Sequence, residues 1–387
     1  MATAGPISAI RSLAERPENS RCAECLVSPT TVASLDTGGT FACNACAIAY
    51  RKAGLRTKSI ERDRWQEAEV AAMQTIPIPH FPVQGNLAVA QQLERNLPAF
   101  YRRPLPHADA DVIRQQFVLA KYKRKEFTDP AMQVAYHRLG GGGFSKEGAL
   151  MKRLKDSDKY LPRHFELSEK NNYLRYFVKD GQREAKNTIP IDQVNVTMLG
   201  SAVDGHPNLM QIMFPQGSRT RSLYVYHDED QEIINWYNAV RGCKYYRYQM
   251  SLLSADELRQ LTLTYDFIIC DWLCKTGPNQ TEAWKRRWCF LLRRSIFYFT
   301  NFMEPLAKGE IWLGERPGFS VESGAPANFK KKPVGHIFTL RTPDRDYVFS
   351  AETQDACRRW IYAIDEVLDS QPTPQDFLYS KTRSNSA

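Results

Sequence analysis

The chain has 387 residues, of which 43% are hydrophobic and 25% charged, and its net charge is +9. This length exceeds that of one ordinary domain of about 100–150 residues, and the composition excludes a wholly disordered protein, so several folded modules are expected. No run of about 18 apolar residues occurs, and the first 20 residues lack the apolar stretch of a signal peptide. The sequence therefore predicts neither a membrane-spanning nor a secreted protein.

Two CxxC pairs mark the first module, and they are separated by 17 residues. Nine cysteines in a chain without an export signal favour metal binding over disulfide formation. Four thiolates with this spacing can close around one zinc ion and leave no position for water. The pattern predicts a single structural zinc site, with the ligands Cys22, Cys25, Cys43 and Cys46.

Apolar residues then recur at helical spacing over residues 60–74 and 84–97, with three prolines between the two segments. A third helix is expected from about Asp109 to Phe127. The run from Gly140 to Gly143 is the clearest linker in the chain, and it ends the predominantly helical module.

After this linker the pattern changes to short β-type runs, namely GALMKRL, HFELSE, NYLRYFV, MQIMFP and SLYVYHD, followed by an amphipathic helix from Asp230 to Lys244. The same order recurs from FIICDWLCK through RWCFLLR, IFYFTN, EIWLGE, IFTLRT and DYVFSAE to a helix over Asp355–Leu368. Trp360 stands in this second helix where Trp236 stands in the first. The sequence thus contains an internal duplication with a period of about 120 residues.

The first module resembles an Arf GTPase-activating (ArfGAP) domain over residues 7–130. The matching residues beyond the cysteines are Ala33-Ser34, Phe41, Arg51, Trp65, Phe100-Tyr101-x-Arg103-Pro104 and Ala120-Lys121-Tyr122-x-x-Lys125-Glu126-Phe127. The resemblance implies that Arg51 acts as an arginine finger, a guanidinium offered to the γ-phosphate of a bound GTPase. A planar cation suits the charge that spreads over phosphate oxygens in the transition state.

Two alternatives remain beside this reading. The family usually has Trp, Gly, Gly and His at the positions of Val32, Leu26, Ile48 and Tyr50. The departures at Val32, Ile48 and Tyr50 favour a catalytically inactive adaptor. The CxxC spacing also resembles a GATA-type DNA-binding finger, but that finger's basic knuckle loop is replaced here by Thr-Val-Ala-Ser. We therefore do not expect nucleic acid to be a partner.

The second repeat carries Trp284-Lys285-Arg286-Arg287-Trp288, preceded by Lys275 at the end of its first strand. Alternate residues of a hairpin share a face, so Lys285 and Arg287 should converge with Lys275 while Arg286 points away. The motif resembles that of pleckstrin-homology (PH) domains that bind 3-phosphorylated phosphoinositides. That resemblance adds Tyr298 and Lys308 as headgroup contacts.

The first repeat has Lys152, Arg163, Tyr176 and Lys186 at the corresponding positions, and Leu161 replaces the lysine that Lys285 supplies in the second. Lower lipid affinity is expected there.

The order of the modules makes the whole chain resemble the dual-PH ArfGAPs of the centaurin-alpha type. The predicted fold class is α+β multidomain, with a mostly helical four-cysteine zinc domain and two PH domains, each a seven-stranded β-sandwich or barrel capped by a C-terminal helix. The predicted boundaries are 7–130 for the ArfGAP-like domain, 131–145 for a Gly-rich linker, 146–247 for the first PH domain, 248–265 for a second linker, 266–370 for the second PH domain and 371–387 for a tail.

The resemblance implies a GTPase activator without a complete active site of its own, recruited from the cytoplasm to the plasma membrane, and a nuclear pool stays open as an alternative. Its expected partners are an Arf-type small GTPase, membranes carrying phosphatidylinositol 3,4,5-trisphosphate and soluble inositol tetrakisphosphate. One structural zinc ion is the expected cofactor. The three domains are expected to fold independently.

Overall fold

A computed structural model describes residues 5–74, 85–105, 110–133, 143–178, 181, 183–200, 205–251, 254, 257, 262–277, 283–327, 329–373 and 376. Most of the predicted glycine linker, residues 140–142, lies outside this set. Among the described residues, no helix combines the length and the apolar character needed to cross a bilayer.

The N-terminal unit is mostly helical around one small sheet. Its elements are α1 (Pro6–Glu15), β1 (Val32–Ser34), β2 (Thr40–Ala42), α2 (Asn44–Lys52), β3 (Lys58–Ser59), α3 (Glu67–Gln74), α4 (Gly85–Leu93) and α5 (Asp111–Val118), and a π-helical turn over Leu119–Arg124 continues α5. Strand β1 lies between β2 and β3, and both pairings are antiparallel.

The first repeat forms an antiparallel seven-stranded sheet. Its strands are β4 (Ser145–Arg153), β5 (Tyr160–Ser168), β6 (Tyr173–Phe177), β7 (Asn187–Ile189), β8 (Asn195–Met198), β9 (Met210–Gln216) and β10 (Arg219–Tyr226). The spatial order is β7-β6-β5-β4-β10-β9-β8. Helix α6 (Asp230–Met250) follows, and its Trp236 is 1% exposed in the core.

The second repeat has the same topology. Its strands are β11 (Ile269–Lys275), β12 (Lys285–Leu292), β13 (Ser295–Phe299), β14 (Gly309–Trp312), β15 (Ser320–Ser323), β16 (His336–Arg341) and β17 (Asp346–Ala351), in the order β14-β13-β12-β11-β17-β16-β15. Helix α7 (Gln354–Asp369) begins after Thr353, whose side chain accepts a hydrogen bond from the amide of Ala356. Trp360 of this helix is completely buried, so each repeat has a core tryptophan at the equivalent helical position.

Local structure differs from the sequence prediction at several elements. The predicted helix at 60–74 begins only at Glu67, because Trp65 is tied to Ser59 through a hydrogen bond from its indole nitrogen to the Ser59 carbonyl at 3.0 Å. Helix α6 extends six residues beyond its predicted end at Lys244. Three short strands, β7, β8 and β15, escaped prediction because they have only three or four residues each and too little alternation to detect.

The N-terminal unit and the first repeat are joined by one continuous hydrophobic cluster. Phe100, Phe117 and Phe127 lie in the same cluster as Trp236 and Tyr237 of α6. Arg241 on α6 reinforces this junction by donating a hydrogen bond to the carbonyl of Phe100 at 2.7 Å. Apolar side chains of each unit are therefore buried by the other, and independent folding of the domains stays a prediction.

Candidate functional site

The four cysteines of the N-terminal unit form a compact sulfur cluster. Their Sγ atoms all lie within 4.8 Å of one another, and those of Cys25 and Cys43 are 3.6 Å apart. A tetrahedral site with metal–sulfur distances of about 2.3 Å has edges of about 3.8 Å between sulfurs, so the cluster fits one thiophilic metal ion. The first pair lies in the turn before β1, and the second pair is brought to it by β2 and the first turn of α2.

Hydrogen-bond donors surround these sulfurs. The Arg114 guanidinium lies 3.3 Å from the Cys46 sulfur, and the Glu24 amide lies 3.5 Å from that of Cys22. Donors of this kind stabilise thiolates, the form that binds metal. No sequence pattern predicted Arg114, which reaches the cluster from α5, 68 residues further along the chain than Cys46.

A buried ionic network lies behind the cysteines. Lys121 is fully buried, and its ammonium contacts Glu24 at 3.2 Å and Glu94 at 2.7 Å. Burial opposes the charge of Lys121, but the two carboxylates outweigh it and raise the pKa of this lysine. The hydroxyls of Tyr50 and Tyr122 donate to the same Glu24 oxygen at 2.6 and 2.7 Å. The Lys-Tyr pair of the sequence motif thus ties the π-helical turn to the first CxxC turn.

Arg51 lies on the exposed side of α2, one residue from its end. Its guanidinium donates to the Thr57 hydroxyl at 3.1 Å, which holds the side chain against the loop after the helix. The preceding residue, Tyr50, is completely buried. Arg51 is therefore presented to solvent from a backbone that the ionic network fixes.

The family departures have distinct structural consequences. Leu26 adopts a left-handed backbone with φ of 60°, which glycine takes without strain and which costs other residues about 1 kcal/mol. Ile48 is 45% exposed and lies on α2 one turn before Arg51. Val32 is buried in β1 between β2 and β3, where a β-branched residue is well accommodated.

In the second repeat, the basic residues gather at the mouth of the sheet barrel. Lys275 pairs in register with Lys285, and Arg287, two positions further along β12, lies opposite the buried Leu273. The Lys275 ammonium lies 5.0 Å from the ring centre of Tyr298 and 5.4 Å from that of Tyr347. Two aromatic faces therefore hold this ammonium at the edge of the core.

Arg286 lies on the other face of the hairpin, with its guanidinium 4.5 Å from the ring centre of Trp272. Lys308 is exposed just before β14, and its amide donates to the Tyr298 carbonyl at 2.9 Å. The following residue must be small, since a Cβ atom on Gly309 would lie 2.0 Å from the Tyr298 hydroxyl oxygen.

The first repeat builds a similar arrangement. The Lys152 ammonium lies 5.4 Å from the ring centre of Tyr176, as Lys275 lies over Tyr298. Lys186 is exposed and its amide donates to the Tyr176 carbonyl at 2.8 Å, as Lys308 does to Tyr298. Arg163 is partly buried and caps the carbonyl of Val178 at 3.3 Å, and Leu161 is exposed.

Sequence reasoning missed one cation in each repeat. Burial of Lys152 lowers the pKa of its ammonium to about 8, and the nearby positive charge of Arg221 is the next cause. Arg345 lies over the Tyr347 ring at 4.2 Å beside Lys275. Arg221 and Arg345 are separated by 124 residues, the offset between the two core tryptophans, so aligning the repeats on those tryptophans would have revealed them.

Comparison with known families agrees with this architecture. Residues 7–131 match the ArfGap family, described as a putative GTPase activating protein for Arf, and residues 144–245 and 267–369 match the PH domain family. The chain is 31% identical over 373 residues to the rat protein named Arf-GAP with dual PH domain-containing protein 2, covering 95% of this chain and 94% of the rat protein. The human protein of that name is 30% identical over 371 residues, covering 95% of this chain and 93% of its own length.

The chain belongs to the dual-PH ArfGAP family. Both the predicted family and the predicted fold class are thereby confirmed. In this dual-PH ArfGAP, the ArfGAP domain contains the cysteine cluster and Arg51, and each PH domain contains one of the two basic barrel mouths. The family implies an Arf GTPase as partner and phosphoinositide lipids as ligands of the PH domains.

Proposed function

We propose that this dual-PH ArfGAP accelerates GTP hydrolysis on an Arf-type GTPase after recruitment to membranes that contain phosphatidylinositol 3,4,5-trisphosphate. The same basic pockets take soluble inositol tetrakisphosphate, since it carries the same phosphate pattern. One zinc ion, bound by the four cysteines, orders the knuckle that supports α2. The protein thus moves between the cytoplasm and the plasma membrane.

The placement of Arg51 carries the catalytic part of this proposal. Its side chain is exposed, it follows directly after the buried Tyr50, and Thr57 restrains the guanidinium. A restrained arginine loses little conformational freedom when it enters a neighbouring active site. Such a finger contributes roughly 10³–10⁵ in rate when it reaches the transferring phosphoryl group.

The convergence of cations supports the lipid part. In the second PH domain, Lys275, Lys285 and Arg287 line one mouth, and Arg345 adds a fourth charge. Charge-assisted hydrogen bonds to phosphate contribute about 1.5–3 kcal/mol each, which suits selection of a headgroup with several phosphates.

A second candidate function is a phosphoinositide-dependent adaptor that binds a GTPase or another protein without catalysis. Ile48 favours it, because an exposed β-branched side chain one turn before Arg51 adds bulk to the face that would approach the nucleotide. The two candidates differ in hydrolysis and agree in membrane binding.

Single-turnover GTP hydrolysis on vesicles loaded with Arf separates them. We expect phosphatidylinositol trisphosphate in the vesicles to stimulate hydrolysis by the native chain, and Arg51→Lys to lower the stimulated rate by roughly 10³-fold because lysine lacks the planar fork. Arg62→Lys, at an exposed arginine of the same domain, is the matched control and should leave the rate unchanged.

Arg287→Ala serves as the lipid control. It should remove most of the stimulation by the lipid, because only the weaker first pocket remains, and it should leave hydrolysis on detergent-soluble Arf unchanged. Native protein that binds the vesicles but does not change hydrolysis would establish the adaptor. Failure to bind the vesicles at all would reject the lipid assignment.

A further inference from the structure

A loop between β15 and β16 carries three consecutive lysines that neither the metal centre nor the headgroup pockets use. We call residues 329–334 the lysine loop, and its basic members are Lys330, Lys331 and Lys332. Lys330 and Lys332 are exposed and Lys331 is partly exposed.

The backbone of the lysine loop is fixed at three points. The Trp284 indole nitrogen donates to the Lys332 carbonyl at 3.2 Å, and the Trp284 ring lies 5.8 Å from that of Phe329. The Ser350 hydroxyl donates to the carbonyl of Val334. The next residue, Gly335, has φ of 68° and packs so closely that an added Cβ atom would lie 2.4 Å from the Ala351 carbonyl oxygen. Three lysines are thus held at a defined place instead of on a loose loop.

Strand alternation places the lysine loop on the opposite side of the β11–β12 hairpin from the proposed headgroup pocket. Lys275 pairs with Phe349, whose buried side chain marks the inside of the barrel, whereas Cys274 pairs with both Ser350 and Arg286. Successive side chains on a strand point to opposite faces. Ser350, which anchors the lysine loop, and Arg286 therefore lie on the outer face, while Lys275 points to the pocket.

We propose that the lysine loop, together with Arg286, is a second membrane contact of the second PH domain and binds the headgroups of abundant anionic phospholipids such as phosphatidylserine. The proposal rests on the proposed membrane recruitment and adds a lipid class to it. In this arrangement the pocket of the second PH domain selects one polyphosphorylated headgroup. The β11–β12 hairpin lies between the pocket and the lysine loop, so it enters the anionic lipid interface with cations on both of its faces. Val334, 49% exposed beside the loop, adds an apolar contact at the same edge.

Vesicle sedimentation with the full chain tests this surface. Three vesicle compositions are used: phosphatidylcholine with a trace of phosphatidylinositol trisphosphate, the same with 20% phosphatidylserine, and phosphatidylcholine with 20% phosphatidylserine alone. The triple variant Lys330→Ala, Lys331→Ala, Lys332→Ala should lose the gain in affinity that phosphatidylserine gives the native chain. The expected loss is on the order of 100-fold, because each of three lysines near an anionic surface contributes roughly fivefold. Its affinity for soluble inositol tetrakisphosphate should stay within twofold of native.

Three controls make the result specific. The triple lysine-to-arginine variant keeps the charge and should retain the gain. Arg358→Ala with Arg359→Ala removes charge from exposed positions of α7 and should change little. Trp284→Phe keeps the aromatic contact with Phe329 but deletes the donor to Lys332, and a loss of about threefold would show that the fixed backbone position matters.

Equal phosphatidylserine dependence of the native chain and the triple alanine variant would overturn the proposal. A different result would reject the proposed headgroup function but support the lysine loop. In that case phosphatidylinositol trisphosphate does not change binding of the native protein, and the triple alanine variant still loses phosphatidylserine binding. The two failures are therefore distinguishable.

Discussion

At the scale of single residues, Lys152 in the proposed headgroup pocket of the first PH domain has an unusual electrostatic environment. Lys152 is partly buried beneath Tyr176, with Arg221 and Arg163 nearby. Burial, followed by the repulsion from these two arginines, lowers its pKa to about 8. A bound phosphate would stabilise the ammonium form, so binding and protonation of Lys152 are linked.

We expect the affinity of the first PH domain for inositol tetrakisphosphate to fall by about tenfold between pH 7 and pH 9. Lys152 is charged in the free protein below a pH of about 8 and neutral above it, so more of the binding energy is used to take up a proton as the pH rises. Calorimetric titration of an Arg287→Ala chain, which isolates the first site, measures the change. Lys152→Arg is the matched control, because its charge does not titrate, and an equally steep fall in that variant would contradict the role of Lys152.

At the scale of secondary-structure elements, the ArfGAP domain depends on contacts between segments distant in sequence. The π-helical turn after α5 inserts Lys121 between Glu24 of the first knuckle and Glu94 at the end of α4. Glu24 also accepts from Tyr50, the residue before Arg51 on α2. The buried Lys121 ammonium therefore holds together the knuckle, α4 and, through Glu24, the helix that carries Arg51.

Replacing Lys121 by Met should destabilise the ArfGAP domain by about 3–5 kcal/mol, because Glu24 and Glu94 would then be buried with less compensating charge. The thermal unfolding transition of the full chain should move down, and zinc should be released to a chelator faster. Lys123→Met on the same turn is exposed and serves as the control. Unchanged unfolding and zinc retention in Lys121→Met would show that the carboxylates find other partners.

At the scale of the whole molecule, the two PH domains are joined by the segment between β13 and β14. The amide of Ser222 on β10 donates to the Pro305 carbonyl at 2.8 Å, and Arg221 forms an isolated β-bridge with Leu306. Met303 is 5% exposed and packs with Leu209 and Tyr224 of the first domain. This segment ends at Lys308, so it connects the pocket of the second domain to Arg221 of the first.

A charge at the centre of this contact should separate the domains without unfolding them. We expect Met303→Asp to increase amide hydrogen exchange in peptides that contain Ser222, because the loss of apolar packing and the desolvation of a buried carboxylate both disfavour the contact. Met250→Asp, at a position 70% exposed, is the matched control and should leave exchange at Ser222 unchanged. Unaltered protection of Ser222 in Met303→Asp would mean that the backbone pairing holds the contact without Met303.

The sequence by itself determined the module order, the cluster of four cysteines and the duplicated strand pattern, because each follows from local spacing. Two CxxC pairs, alternation over five or more residues and a tryptophan at the same place in both terminal helices need no knowledge of distant contacts. Alternation also predicted that Arg286 would point away from Lys285 and Arg287, and the packing of Arg286 on Trp272 agrees.

Only the tertiary structure decided which distant residues complete these sites. Arg114 reaches Cys46 across 68 residues, and Lys121 reaches Glu24 across 97 residues, and neither distance leaves a periodic trace in the sequence. The same holds for Phe100 against α6 and for Met303 in the first PH domain. Burial of such side chains is settled by how the chain packs, and packing depends on shape and charge complementarity between segments that no local pattern relates.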